Sequence, residues 1–512
     1  MEWNWWLMRG IGGGIASVIW AQCSFAQSST KPPDLIGLQC TAEQTTADIL
    51  SKPNRLLSFG LPCQETLPFN ENGRTLLQNL QKGFDLYSWL TFIALNSPDH
   101  GPITQARPDT PTQWERSWED KLSLIQLSDV MRVDANDPSN RSRVIPPNCR
   151  AQYKPGMMVV NMSEETYNQP FKTGPLIDQH GNYALFDILM NKDMFDFIVK
   201  HGLYSKAQQE SAENSELKID FPAGNNAADM PGAIMIKVAW RILTPQDDKS
   251  KFHTADALVS MPATPDETSE PPCLHETLGL VGFHVAHKTT TRLQWIWTTF
   301  EHVDNAPDQR DIETRSLKSS YNFFDPSCNS AKCPVNGTPP RPWKPNPALH
   351  LKFSSSFHSQ IVRVIPIENE TRKLNKVFQS ILGNSVWANY ELVSTQWPSD
   401  RDCGKQTDPA NSGAPMAPAT AFGKEPDMTC APAPTFLANS TLETFSQGET
   451  PLASSSCMAC HGNAVSFQRR QHQDQREQRT VTPFFSQSDF TFMLEKAHCP
   501  RPDPLGSSRC LE

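Results

Sequence analysis

Cys457, Cys460 and His461, in the stretch SSSCMACHGN (454–463), carry the strongest chemical signal in the chain. Their C-x-x-C-H spacing is that of covalent haem attachment: two thiols add across the two vinyl groups of a haem, and the imidazole that follows binds the iron from one side. A zinc site would want a second pair of Cys or His ligands close by, and none stands at matching spacing. A thioredoxin-like redox pair usually opens a helix after a strand, whereas this motif follows three serines. The residues therefore predict one covalent haem c, tethered by Cys457 and Cys460, with His461 as the proximal iron ligand.

What such a haem does turns on the far side of the iron. A Met or His there suits electron transfer, and an open position admits peroxide, oxygen or a substrate. No methionine lies between His461 and Ser488. His472 is the candidate in that interval, within QRRQHQDQREQR, a run polar enough to be an exposed loop. Met493 is the other candidate, although Phe490, Phe492, Leu494 and Ala497 around it suit a core position as well. Met416 and Met428, in the proline-rich loop, would be loop ligands from upstream, and His498 would reach the iron only by a fold-back. His302, in the company of Trp295, Trp297, Phe300 and Glu301, is a candidate for the distal side or for a pocket wall. His284 and His287 occur in GFHVAH, where a strand would turn them to opposite faces. A histidine pair with Glu301 or Asp304 would make a non-haem metal site. The ordinary reading of each of these histidines is a satisfied structural one.

The N-terminus fits a compartment where haem c is assembled. Arg9 is a thin positive region, Ile11 to Trp20 a short apolar run, and Ser24-Phe25-Ala26 a signal-peptidase site, which predicts export with cleavage after Ala26. The run is short for a membrane span, and no other run is long enough, so no span is expected after signal removal. Of 13 cysteines, Cys23 leaves with the signal and two hold haem. The remaining even number suggests disulfides: Cys40 with Cys63, Cys328 with Cys333, Cys403 with Cys430 and Cys499 with Cys510, leaving Cys149 for Cys273. The net charge of −9, with no basic stripe, argues against nucleic acid as a partner.

The elements that must position these residues read as α+β: a large mixed body with a mostly antiparallel sheet and flanking helices, plus a small helical C-terminal cytochrome c-like haem unit. After the signal (1–26), the body covers 27–397, a proline-rich loop or linker 398–434, and the haem-binding region 435–512. Apolar spacing predicts a helix over 74–96, a helical stretch around ALFDILMNKDMFDFIVKHG, and a helix over 369–382. Strand-like runs lie at 232–243, 278–289, 293–305, 358–367 and 386–397. Residues 437–447 and 487–498 read as helices capped by Asn439 or Ser440 and by Ser488.

Several stretches together, DLYSWLTFIALNSP (85–98), QWIWTTFEHVDNAP (294–307), ELVSTQWP (391–398), LANSTLETF (437–445), SSCMACHG (455–462) and SDFTFML (488–494), resemble a group of exported bacterial proteins described only as "cytochrome c family protein". The resemblance spans nearly the whole mature chain and implies haem binding and electron transfer, without a substrate. One departure is Ser97, where the group's ALNWP has tryptophan. Two functions of different class follow. One is a periplasmic single-haem carrier that passes electrons between redox partner proteins. The other is a haem oxidoreductase, reducing peroxide or oxidising a small-molecule substrate, whose large body covers an open iron and whose His302, His284 or His287 handles protons. The size of the body argues for the second; the single C-x-x-C-H, where diheme peroxidases have two, argues against it.

Overall fold

The computed structural model describes residues 61–62, 76–98, 100–115, 125–126, 145–155, 157–211, 217–224, 230–262, 271–328, 333–354, 357–399, 432–447, 456–462, 464–473 and 479–497. The expected signal peptide, most of the proline-rich segment, Met416, Met428, His498 and the cysteine pairs 40–63, 403–430 and 499–510 lie outside those residues.

The expected α+β body forms. Its frame is a nine-stranded sheet in the order β1 (Ile125–Gln126), β3 (Leu185–Met190), β4 (Ile234–Ile242), β6 (Cys273–Thr289), β7 (Arg292–His302), β8 (Tyr390–Pro398) and β9 (Pro432–Ala433). β5 (Thr254–Ser260) branches from the first half of β6 and carries β2 (Met158–Asn161), the sheet's parallel pair; its other ladders are antiparallel. Alternating side chains divide the sheet into two faces. Ile236, Val238, Phe283, Val285 and Phe300 face helices α1 (Leu76–Asn96) and α3 (Asn369–Leu382) in the main core. Trp89 of α1 stacks on Phe378 of α3 at 4.7 Å, and Phe92 stacks on Phe300 of β7 at 4.1 Å. Met235, Ala286, Trp295 and Trp297 point the other way, into a second core with helix α2 (Lys192–Lys200), Met458 and residues 490–497.

Two disulfides tie the body, Cys149 to Cys273 and Cys328 to Cys333, both as expected. Some elements differ from expectation. ALFDILM is not helical: Leu185–Met190 pairs with β4 as a strand, and the helix starts only after Asn191, whose side chain accepts from Met194 N at 3.3 Å as its N-cap. Residues 358–367 form no strand. Their backbone bonds instead to loops, Ile361 to Phe323 and Arg363 to Pro307, because Arg363 must reach a buried acidic cluster.

The C-terminal region also departs in its elements. Residues 437–447 give turns and one 3-10 turn, Thr444–Ser446, in place of a helix. Asn439 does act as a cap, its Oδ1 accepting from Thr441 and Leu442 N, but Thr441 and Thr444 use their hydroxyls on the local chain and compete with helical bonding. The described residues of the polar run expected as a loop, 468–473 and 479, lie on paired strands β10 (Val465–Gln473) and β11 (Arg479–Gln487). The closing helix is only a 3-10 turn, Phe492–Lys496: Asp489 and Phe490 adopt φ of 49° and 65°, which a helix starting at Ser488 cannot hold.

Candidate functional site

The motif forms a five-residue helix, Cys457–His461, capped by Ser456. Spacings of three and four residues set Cys457, Cys460 and His461 on one side of that helix. Gln396 of β8 fixes it to the sheet: its Oε1 accepts from Met458 N at 2.8 Å and Ser456 Oγ at 3.2 Å, while its Nε2 donates to Pro434 O at 2.8 Å.

His461 is held by its ring. Its Nδ1 lies 2.8 Å from the carbonyl oxygen of Phe490, so Nδ1 carries the proton and Nε2 keeps its lone pair. Trp297 packs on the imidazole at 4.5 Å and Phe492 at 5.3 Å. Burial holds the imidazole pKa down to about 4, so the ring is neutral at pH 7. The Phe490 carbonyl is itself braced. Asp489, next to it, accepts from Lys288 Nζ at 2.6 Å, from Phe221 N at 2.7 Å and from Trp295 Nε1 at 3.3 Å. Lys288 and Asp489 are 2% and 8% exposed, so the pair is a buried one. Trp295, at φ 67°, adds a third left-handed residue to this cradle. Such backbone strain persists only where surrounding contacts enforce it.

The two thiols are unpaired, unlike the bridged cysteines of the body. Burial, then the Glu443 carboxylate, raises both, Cys460 to about 12. Reactive redox cysteines and thiolate metal ligands need the reverse. No group of three or more His, Cys, Asp or Glu gathers to hold a bare metal ion among the described residues. Two protonated thiols one turn apart, beside a neutral imidazole whose Nε2 has no hydrogen-bond partner among the described residues, fit the donor set of a covalent haem.

The other candidates separate. His302 lies five residues from Trp297 on β7, hence on the opposite face. It stacks on Phe252 at 4.3 Å, donates from Nε2 to Lys251 O at 3.0 Å and accepts at Nδ1 from Asp304 N at 3.1 Å. Both nitrogens are spent and burial holds the pKa near 4, so His302 offers neither a ligand nor a pocket wall beside the motif. His287 is likewise turned to α1, between Tyr87 Oη and Pro231 O. Of the two carboxylates suggested for a non-haem metal, Glu301 is bound to Arg363 and Ser440, and Asp304 is paired with Lys318 at 2.8 Å and Lys251 at 3.3 Å. Met493 is buried with Met458, Trp295 and Trp297. Phe492 of the same turn packs on His461, and the Met493 side chain lies within the core. His472 pairs with Thr480, seven residues out from Val465 on β10, a run of roughly 23 Å along the strand.

His284 is the histidine that faces the motif side. Its Nε2 lies 2.8 Å from Glu443 Oε1. Lys237 sits opposite it in register on β4, and the charges of Lys237 and Glu443 are felt at Cys460 and His461. Gly282 permits this approach: a Cβ there would lie 2.5 Å from Thr441 Oγ1 in the loop that carries Glu443. Glu443, Gln396, Lys288 and Asp489 were not singled out from the sequence. Gln396, Glu443 and Asp489 do fall inside stretches marked by the resemblance, but polar residues without a motif carry no signal of their own. No family model, curated protein or solved structure matches the chain.

Proposed function

We propose that the protein is an exported, single-haem c-type cytochrome that carries electrons between periplasmic redox partner proteins. The observation that supports it most is His461, whose Nδ1 is engaged by the Phe490 carbonyl while Nε2, beside two unpaired thiols, has no hydrogen-bond partner among the described residues. Cys457 and Cys460 would tether the haem and His461 would ligate its iron, which supplies a centre that gains and loses one electron. The hydrogen bond to Phe490 raises the basicity of the ligand and fixes its orientation. The two disulfides of the body support an oxidising compartment. Among the described residues no helix is long and apolar enough to cross a membrane. A second reading, a haem oxidoreductase, is favoured by one feature: His284 with Glu443 and Lys237, titratable groups gathered beside the motif helix.

The test is to produce the mature chain with a haem-maturation system, extract it with acid and acetone, and record the reduced spectrum with and without carbon monoxide. Haem that stays with the protein after extraction, and is lost in Cys457→Ala/Cys460→Ala, is the expected result. Haem that washes out refutes the assignment. A low-spin spectrum unmoved by carbon monoxide supports the carrier; a prompt shift moves the reading to the enzyme.

A further inference from the structure

Lys237 is a half-buried cation on the sheet face beneath the motif helix. Among the described residues no group accepts a hydrogen bond from its ammonium, which lies over the ring of Phe186 at 5.2 Å. The obvious counter-ion is already committed: Glu443 Oε1 is bonded to His284 and Oε2 to the backbone N of Asn439 at 3.0 Å. Burial pulls the Lys237 pKa down, and Glu443 and then Cys460 oppose that shift. A cation so placed is short of one close oxygen.

His284 is register partner to Lys237, so their Cβ atoms stand about 5 Å apart on the same face. Its Nε2–H is taken by Glu443, and no described group bonds its Nδ1. The His284 and Glu443 side chains are 17% and 20% exposed, so the site opens to solvent. Thr299, the next residue in the row, is closed off by Asn439 Nδ2 at 2.8 Å. The row therefore presents one ammonium donor and one imidazole nitrogen, which accepts a proton when neutral and donates one when charged.

We propose that Lys237 and His284, braced by Glu443, form a binding site for a small singly charged inorganic oxyanion beside the motif helix. Lys237 supplies the charge, and His284 Nδ1, in the ring's charged form, donates to a second oxygen. The site goes beyond the carrier reading, and its residues belong to the chain whether or not haem is attached.

Nitrite serves as the probe, titrated by calorimetry into the full mature chain as produced. The urea denaturation midpoint of each protein, read by tryptophan fluorescence, controls for general damage. The expected result is nitrite binding that weakens about tenfold or more in Lys237→Met, the loss of one charge-assisted bond, and returns to within about threefold in Lys237→Arg. His284→Asn should weaken it as well, while the urea midpoint stays alike in all four proteins. Absence of nitrite binding by the wild type, or equal affinity in Lys237→Met, overturns the proposal. Haem lost on acid extraction from a chain that still binds nitrite would defeat the haem assignment and leave this site standing.

Discussion

Lys288→Met should loosen the cradle of His461. Lys288 and Asp489 meet at 2.6 Å with side chains 2% and 8% exposed, so the carboxylate has little water to fall back on. Removing one partner of a buried pair costs about 3–5 kcal/mol, because the other charge is left uncompensated. Asp489 keeps two donors, Phe221 N and Trp295 Nε1, which places the cost near the low end, about 3 kcal/mol. Asp489→Asn is milder, about 1–2 kcal/mol, since Lys288 retains Asp220, a residue open enough to water to hold it cheaply. The double variant should cost less than the sum, as neither charge is then stranded. Urea denaturation followed by tryptophan fluorescence reads this directly, since Trp295 and Trp297 lie in the same core. A Lys288→Met protein within about 0.5 kcal/mol of wild type, or strict additivity in the double variant, would refute the argument that this pair holds the turn.

Two further outcomes follow from groups away from the motif. His302→Ala removes a fully buried ring with two hydrogen bonds and a stack on Phe252, and should cost about 3 kcal/mol in urea while leaving any haem spectrum unchanged; a spectral change would put His302 back at the haem. Asp85, buried in α1 and bonded to Thr371 at 2.7 Å, has its pKa raised by desolvation from 3.8 to about 6. The folded chain thus binds a proton that the unfolded chain has already lost between those values. Stability should fall by about 2 kcal/mol as pH rises from about 4 to about 6, out of about 3 kcal/mol in all. Asp85→Asn should flatten that slope in urea titrations at stepped pH; an unaltered slope assigns it to other groups.

Much of the body was legible in the sequence because its signals are periodic. The apolar spacing from Leu76 to Leu95 and the β-branched runs of β4, β6 and β7 each report on one face of one element. The pairing of Cys149 with Cys273 followed from simple elimination. Failures occurred where position depends on contacts distant in sequence. ALFDILM has apolar residues in a pattern that suits either a helix or a strand, and pairing with β4 decides it. SDFTFML has helical composition, yet Asp489 is pulled into a left-handed turn by Lys288, some two hundred residues away. His302 looked like part of the Trp297 cluster because both sit in one short stretch, but an odd separation on a strand puts them on opposite sides of the sheet.

The stretches of the resemblance, all but the first, converge in space on the motif helix. QWIWTTFEH brings Trp297 onto His461; ELVSTQWP brings Gln396 under Met458 and Ser456; LANSTLETF brings Glu443 to His284; SDFTFML brings the Phe490 carbonyl to Nδ1. A five-residue helix cannot hold its own geometry, since nucleating one turn costs more than its few hydrogen bonds return. Its orientation must come from outside, and here it comes from β4, β6, β7, β8 and the C-terminal turns together. The large body is therefore explained first as the scaffold of one small site. It does not by itself imply catalysis; that inference needs a group on the motif side that can bind or protonate something, and Lys237 with His284 is the pair the fold turns that way.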